Sequence, residues 1–208
     1  DGDGTGSGVV LDANNTTVRN VRISNTSTGI DEADGTNRIR SATVVDAGQG
    51  IALNGDGDTT VEFSRVTGTD SQGVAVTSSN NTLRSVEVSD ATTGIDIDGA
   101  ADNRIEASVF GSNDVGIRVA DIQASDTNPG ARFADSALDS NGVGALIDNT
   151  TVNSSGNWWG TPNPQENEEY LVRSGLNLDP ADSRTDSQFN VDIGLTGGTD
   201  EARGEAVT

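Results

Sequence analysis

Residues 50–76 read GIALNGDGDTTVEFSRVTGTDSQGVAV. Gly50 opens an alternating triplet with Ile51 and Leu53 apolar, and Gly73 opens a second with Val74 and Val76. Between them lies a turn rich in Gly, Asp and Asn, then a second run carrying Val61 and Val66. Alternation with period two sends one set of side chains to a single face of a strand, so the stretch predicts short strands with one buried face.

Working outward, the marker glycine recurs as Gly8, Gly29, Gly50, Gly73, Gly94, Gly116 and Gly144, at intervals of 21, 21, 23, 21, 22 and 28 residues. Most are followed by the same triplet: Val9 and Leu11, Ile95 and Ile97, Ile117 and Val119, Ala145 and Ile147. The second half of each repeat also aligns. Its first column reads Val18, Ile39, Val61, Leu83, Ile105; its fourth Val21, Ala42, Ser64, Val86, Ser108; its sixth Ile23, Val44, Val66, Val88, Phe110. A polar column of Thr16, Asn37, Thr59, Asn81 and Asn103 precedes it. One repeat offers about five apolar side chains, worth roughly 1.5–3 kcal/mol each, against backbone ordering of about 1–2 kcal/mol per residue. No repeat folds alone, and stacking successive coils supplies both the interior and the hydrogen bonds, which predicts a solenoid of six or seven coils.

The glycine step, the Asn/Thr turn and the following strand resemble the repeats of right-handed parallel β-helix proteins of the pectate-lyase-like and NosD-like superfamily. Gly156-Asn157-Trp158-Trp159-Gly160-Thr161-Pro162 resembles the Asn-Trp-Trp-Gly signature that closes such repeats in halophile surface proteins. The resemblance spans about residues 8–180. It implies an all-β fold, whereas the activities it brings range over lyases, hydrolases, epimerases and adhesins.

Composition bounds the chemistry. The chain has 208 residues, no Cys, His or Met, and 12 cations, all Arg, against 33 acids, for a net charge of -21. Soft-metal, thiol and imidazole chemistry is thereby removed, and with it copper binding of the kind the NosD name suggests. Duplex nucleic acid and anionic membrane are excluded as partners on charge. No run of about 18 apolar residues exists to span a bilayer. Without Met, the sequence reads as a mature or excised segment. The acidic excess resembles that of extreme halophiles, because near molar salt the Debye length falls to about 3 Å and self-repulsion is screened. Six Asn-x-Ser/Thr triplets (Asn14, Asn15, Asn25, Asn80, Asn149, Asn153) suit either surface glycosylation or abundant turns. An extracellular or cell-surface location in a high-salt environment is expected.

Three places depart from the repeat. Glu32 occupies a slot that other coils fill with Leu53, Val76 or Ile97, so that coil is either distorted or holds a perturbed carboxyl group. The interval from Ile117 to Phe133 is lengthened around Asp126, Asn128, Pro129 and Gly130, which predicts a loop leaving the rod. Beyond Trp159 the period stops. Asn163-Pro164 reads as a helix start, residues 165–173 as a short helix ended by Gly175, and Phe189, Val191, Ile193 and Leu195 as a strand. The expected organisation is β-helix repeats over 1–160, a C-terminal cap over 161–196 and a tail or linker over 197–208.

For function, Arg19, Arg22, Arg38, Arg40, Arg65, Arg84 and Arg104 fall in the outward columns with Glu62, Glu87 and Glu106. Either they form a groove that holds uronate or sulfate of an acidic polysaccharide or cell-surface glycan, or they pair with acids from coil to coil. Trp158 and Trp159 offer a stacking platform for sugar, or plug the end of the interior. Asp1, Asp3, Thr5, Ser7 and Asp12 are spaced somewhat like an EF-hand loop, and Asn54, Asp56 and Asp58 form a second oxygen-rich run; both coincide with coil turns, and no resident metal or cofactor is expected. No lyase-type clustering of Asp with Arg is evident, and no catalytic residue is assigned. The sequence therefore points to a non-catalytic scaffold or polysaccharide-recognition module, with a polysaccharide lyase or glycoside hydrolase as the alternative.

Overall fold

The computed structural model describes residues 3–120, 131–134, 136–138, 141–148, 152–153 and 171–173. All described pairings between strands are parallel. One ladder runs through β1 (Ser7–Asp12), β3 (Arg22–Asp34), β5 (Thr43–Leu53), β6 (Thr60–Val76), β7 (Thr82–Asp98), β10 (Val115–Ala120), β12 (Val143–Asp148) and β14 (Leu171–Arg173). A second side stacks β2 (Thr17–Arg19) and β4 (Arg38–Arg40) on the starts of β6 and β7, then β8 (Asn103–Glu106), β11 (Ala131–Ala134) and β13 (Val152–Asn153). A third joins the middles of the long strands to β9 (Val109–Phe110). The result is an all-β parallel solenoid whose coils lie some 22 residues apart, with no helix among the described residues.

The register realises the repeat residue by residue. Val9, Ile30, Ile51, Val74, Ile95, Ile117 and Ala145 are successive partners. The columns Ile39–Val61–Leu83–Ile105 and Val44–Val66–Val88–Phe110 lie in the same core and are fully buried. The marker glycines stack on one another for a steric reason. A Cβ on Gly50 would lie 2.2 Å from the Gly73 carbonyl oxygen and 2.4 Å from Val66 Cγ1, and one on Gly29 would lie 2.5 Å from the Gly50 oxygen. Each coil thus sits where the previous glycine's side chain would be.

Polar residues at the corners also stack. The Thr16 amide donates to Asn37 Oδ1 (2.8 Å), Asn37 N to Thr59 Oγ1 (3.0 Å), Thr59 N to Asn81 Oδ1 (2.9 Å) and Asn81 N to Asn103 Oδ1 (2.9 Å). Ser64 and Ser108, in an otherwise apolar column, accept the amides of Ala42 and Val86 in the coil before. Each buried side chain satisfies a backbone donor that the turn leaves without a ladder partner. The chain reverses at these corners through left-handed residues: Asn20, Ser41, Phe63, Ser85 and Ala107 have φ between 46° and 54°, and Asn25, Asp46, Gly68, Asp90 and Ser112 form a second such column.

One expectation is corrected. Residues 171–173, expected to close a helix, form β14, where Leu171, Val172 and Arg173 pair with Ala145, Leu146 and Ile147; the ladder of the preceding coil offers each of them a backbone partner, which outweighs local helix signals. The remaining cap, the strand expected around Phe189 and the loop at 121–130 lie outside the described residues. Glu32 keeps its slot, between Leu11 and Leu53 in register, and is fully buried. The register shifts only after it, where Asp12 faces Asp34 and Ala33 is passed over. Its carboxyl group accepts from Asn37 Nδ2 (3.1 Å), Thr59 Oγ1 (3.2 Å) and Gly55 N (3.2 Å), so the polar corner column supplies two of its partners and the following turn the third.

Candidate functional site

The outward columns of the second and third sides follow from the same register. Arg19, Arg40, Glu62, Arg84 and Glu106 are successive neighbours in one, and Arg22, Thr43, Arg65, Glu87 and Val109 in the other. Arg38 and Arg104 stand beside them in the column that also holds Thr17, Thr60 and Thr82.

Four of the seven arginines are committed to pairs within the rod. Arg38 and Arg40 converge on Glu62, and Arg40 also lies 5.2 Å from the centre of the Phe63 ring. Arg65 pairs with Glu87 at 3.1 Å, and Arg104 with Glu106 on its own strand. Among the described residues, Arg19, Arg22 and Arg84 make no ion pair and are exposed. Arg19 and Arg22 share the first coil, while Arg84 stands two rungs beyond Arg40. Trp158 and Trp159 lie outside the described residues.

The Arg65–Glu87 pair is partly buried, with Glu87 the more enclosed partner. Arg65 Nε and Glu87 Oε2 are buried without hydrogen-bond partners, and burial raises the Glu87 carboxyl above its ordinary value of 4.5 although Arg65 pulls it down. A raised folded-state value means the unfolded chain releases this proton first as pH rises. Glu87 therefore supports folding below about pH 4.5, and that support is lost as pH climbs through its folded value. Glu87→Gln removes this titration. The melting temperature of the variant minus that of the parent is expected to increase between pH 4 and pH 7, measured in molar KCl; a constant difference contradicts the assignment.

A further cluster lies on the outward face of the first side. Gln49 Nε2 donates to Gln72 Oε1 (3.1 Å), Gln72 Nε2 to Asp96 Oδ2 (3.4 Å), and Arg118 Nη1 to Asp96 Oδ1 (2.6 Å), with Asp98 Oδ2 4.0 Å away. Asp96 and Arg118 are 22 residues apart but direct register neighbours, at the outward positions of their triplets. Asp96, held by a guanidinium and an amide, and the more exposed Asp98 beside it form a polar strip able to hydrogen-bond sugar hydroxyls. In the oxygen-rich runs, Asp3 Oδ1 is taken by Thr5, and Asn54 pairs with Asp31 and Thr77, while Asp1 lies outside the described residues.

Comparison with known proteins places these geometric findings in one family. The model of the right-handed β-helix region matches residues 7–158. No curated protein and no solved structure matches the chain. The fold supports a structural or polysaccharide-related module in general, and by the extent of that match the chain belongs to the right-handed β-helix family.

Proposed function

We propose that the chain is a non-catalytic β-helix module of an exported surface protein in a high-salt environment, serving as a rigid scaffold and as a recognition surface for acidic polysaccharide or cell-surface glycan. The observation that carries this reading is the division of the outward arginines. Arg38, Arg40, Arg65 and Arg104 tie coils or strands to acids, whereas Arg19, Arg22 and Arg84 keep their guanidinium groups open to solvent. Open guanidinium groups on a stiff sheet suit bidentate contacts to uronate or sulfate. In a uronate-polymer binding assay in molar KCl, Arg19→Gln, Arg22→Gln and Arg84→Gln are each expected to weaken binding about two- to fivefold, as exposed charge contacts do. Unchanged binding in the triple variant sinks the recognition role and leaves the scaffold.

The high-salt setting has its own check. At a net charge of -21, self-repulsion in dilute buffer opposes the compact state. Circular dichroism during dialysis from molar to millimolar KCl is expected to show loss of the β signal, and an unchanged spectrum refutes the halophilic assignment.

A second reading, a polysaccharide lyase or glycoside hydrolase, is favoured by the Asp96–Arg118–Asp98 cluster, which provides carboxylates and a cation on one sheet face. Asp96→Asn separates the two readings, since it would abolish turnover in an enzyme and only trim affinity in a binding module.

A further inference from the structure

We propose that Asn54 modifies itself: the Gly55 amide nitrogen closes on the Asn54 side chain to form a succinimide, and water opens the ring to aspartate or isoaspartate. This chemistry is carried out within the chain, so it goes beyond the recognition role.

Three side chains hold the two reacting residues. Gly55 N donates to Glu32 Oε2 (3.2 Å), Thr77 Oγ1 donates to Asn54 Oδ1 (3.0 Å), and Asn54 Nδ2 donates to Asp31 Oδ1 (3.3 Å). A carboxyl group thus stands on the nucleophile, a hydroxyl on the oxygen that gathers charge, and a carboxylate on the departing nitrogen. Gly55 is what lets Glu32 come this close. A Cβ there would lie 2.7 Å from Glu32 Oε1 and 2.9 Å from the Asp34 amide nitrogen. The missing side chain also leaves the Gly55 nitrogen unhindered. Asn54 is exposed, so water has access to the ring.

Glu32 takes the Gly55 amide proton as the nitrogen bonds to Asn54 Cγ. Thr77 stabilises the negative charge that develops on Oδ1, as an oxyanion donor does. The bond from Cγ to Nδ2 then breaks, and Nδ2 leaves as ammonia with one proton more than it carried in the amide, which balances the proton lost from Gly55. Water adds to one of the two ring carbonyls and breaks its bond to nitrogen. The net change is hydrolysis of a carboxamide to a carboxylate, with no oxidant or cofactor.

The same dipeptide recurs at Asn141-Gly142 and provides an internal contrast. There Asn141 is buried, its Nδ2 donates to Phe110 O (2.6 Å) and Leu138 O (2.9 Å), and its Oδ1 accepts from Asn113 N (2.9 Å). The Gly142 amide donates to the Asn113 carbonyl (3.0 Å), a neutral acceptor rather than a carboxylate base. Reaction is therefore confined to Asn54. Its product replaces a donor to Asp31 by a second carboxylate, beside the outward column Asp31–Ala52–Ala75–Asp96. The first face gains negative charge as the protein ages.

Peptide mapping by mass spectrometry during incubation of the full chain in molar KCl at neutral pH tests the proposal, with a synthetic peptide of residues 50–58 incubated alongside. Amide-to-acid conversion at Asn54, with isoaspartate among the products, is expected at least as fast as in the free peptide, and none at Asn141. Glu32→Gln and Glu32→Leu are each expected to slow the conversion about tenfold or more, and Thr77→Val about tenfold, in variants that circular dichroism shows to be folded. A merely structural Glu32 would have the opposite effect, since its loss would loosen the turn and quicken the reaction. Persistence of Asn54 while the free peptide converts, unchanged or faster conversion in the folded Glu32 variants, or equal conversion at Asn141 overturns the proposal.

Discussion

Gly50→Ala is expected to cost more than about 3 kcal/mol of folding stability, a larger loss than ordinary overpacking brings. The added Cβ meets the carbonyl oxygen of Gly73 at 2.2 Å and a methyl of Val66 at 2.4 Å. The oxygen belongs to the neighbouring coil's backbone and cannot swing aside as a side-chain tip does. Relief requires the two coils to separate, which loosens the Ile51–Val74 and Ala52–Ala75 pairs beside it. Gly99→Ala provides the contrast. Gly99 has φ 64° with nothing near its absent Cβ, so only the left-handed conformation is penalised, by roughly 1–2 kcal/mol. Chemical denaturation in molar KCl measures both, and equal losses would contradict the view that close stacking on the next coil explains the marker glycines.

Glu32→Ala is expected to lose about 2–4 kcal/mol, as removal of a fully buried side chain of that size leaves a cavity and unpaired donors. Glu32→Leu is expected to recover most of this. Leu matches Leu11 and Leu53 on either side, and two of the three displaced donors keep other acceptors: Asn37 Nδ2 bonds Asp34 O at 2.5 Å, and Thr59 Oγ1 bonds Gly35 O at 3.3 Å, while the half-buried Gly55 amide loses its carboxylate partner. Replacing a buried polar group by a well-packed apolar one is often neutral or better. If Glu32→Leu destabilises as much as Glu32→Ala, the carboxyl group organises the turn between Asp34 and Asn37 beyond what its hydrogen bonds explain.

The parts of the fold that depend on side-chain periodicity were legible. The triplets after Gly50, Gly73 and Gly94 carried strand, face and coil length together, because stacked coils force equivalent residues into equivalent slots. The partners of Glu32 were not legible, since Asn37 and Thr59 resemble turn residues until their interior position is known. The left-handed corners were equally hidden: Ser41, Phe63 and Ala107 carry no local preference for φ near 50°, and the stacked coils on both sides impose it. The arginine columns were read from alternation, but which arginine meets which glutamate depends on rotamers as well as register. Arg38 reaches across to Glu62 rather than to its direct neighbour Thr60. Asp96 and Arg118 were available to the same alternation, and following outward as well as inward positions would have joined them.

The most direct test of the functional account is to incubate the chain with neutral, uronate and sulfated polysaccharides in molar KCl while following polymer length and the absorbance of unsaturated uronate. The account predicts retention of the protein on acidic polymer with polymer length unchanged. Depolymerisation that disappears in Asp96→Asn would contradict it and identify the first sheet face as a catalytic site.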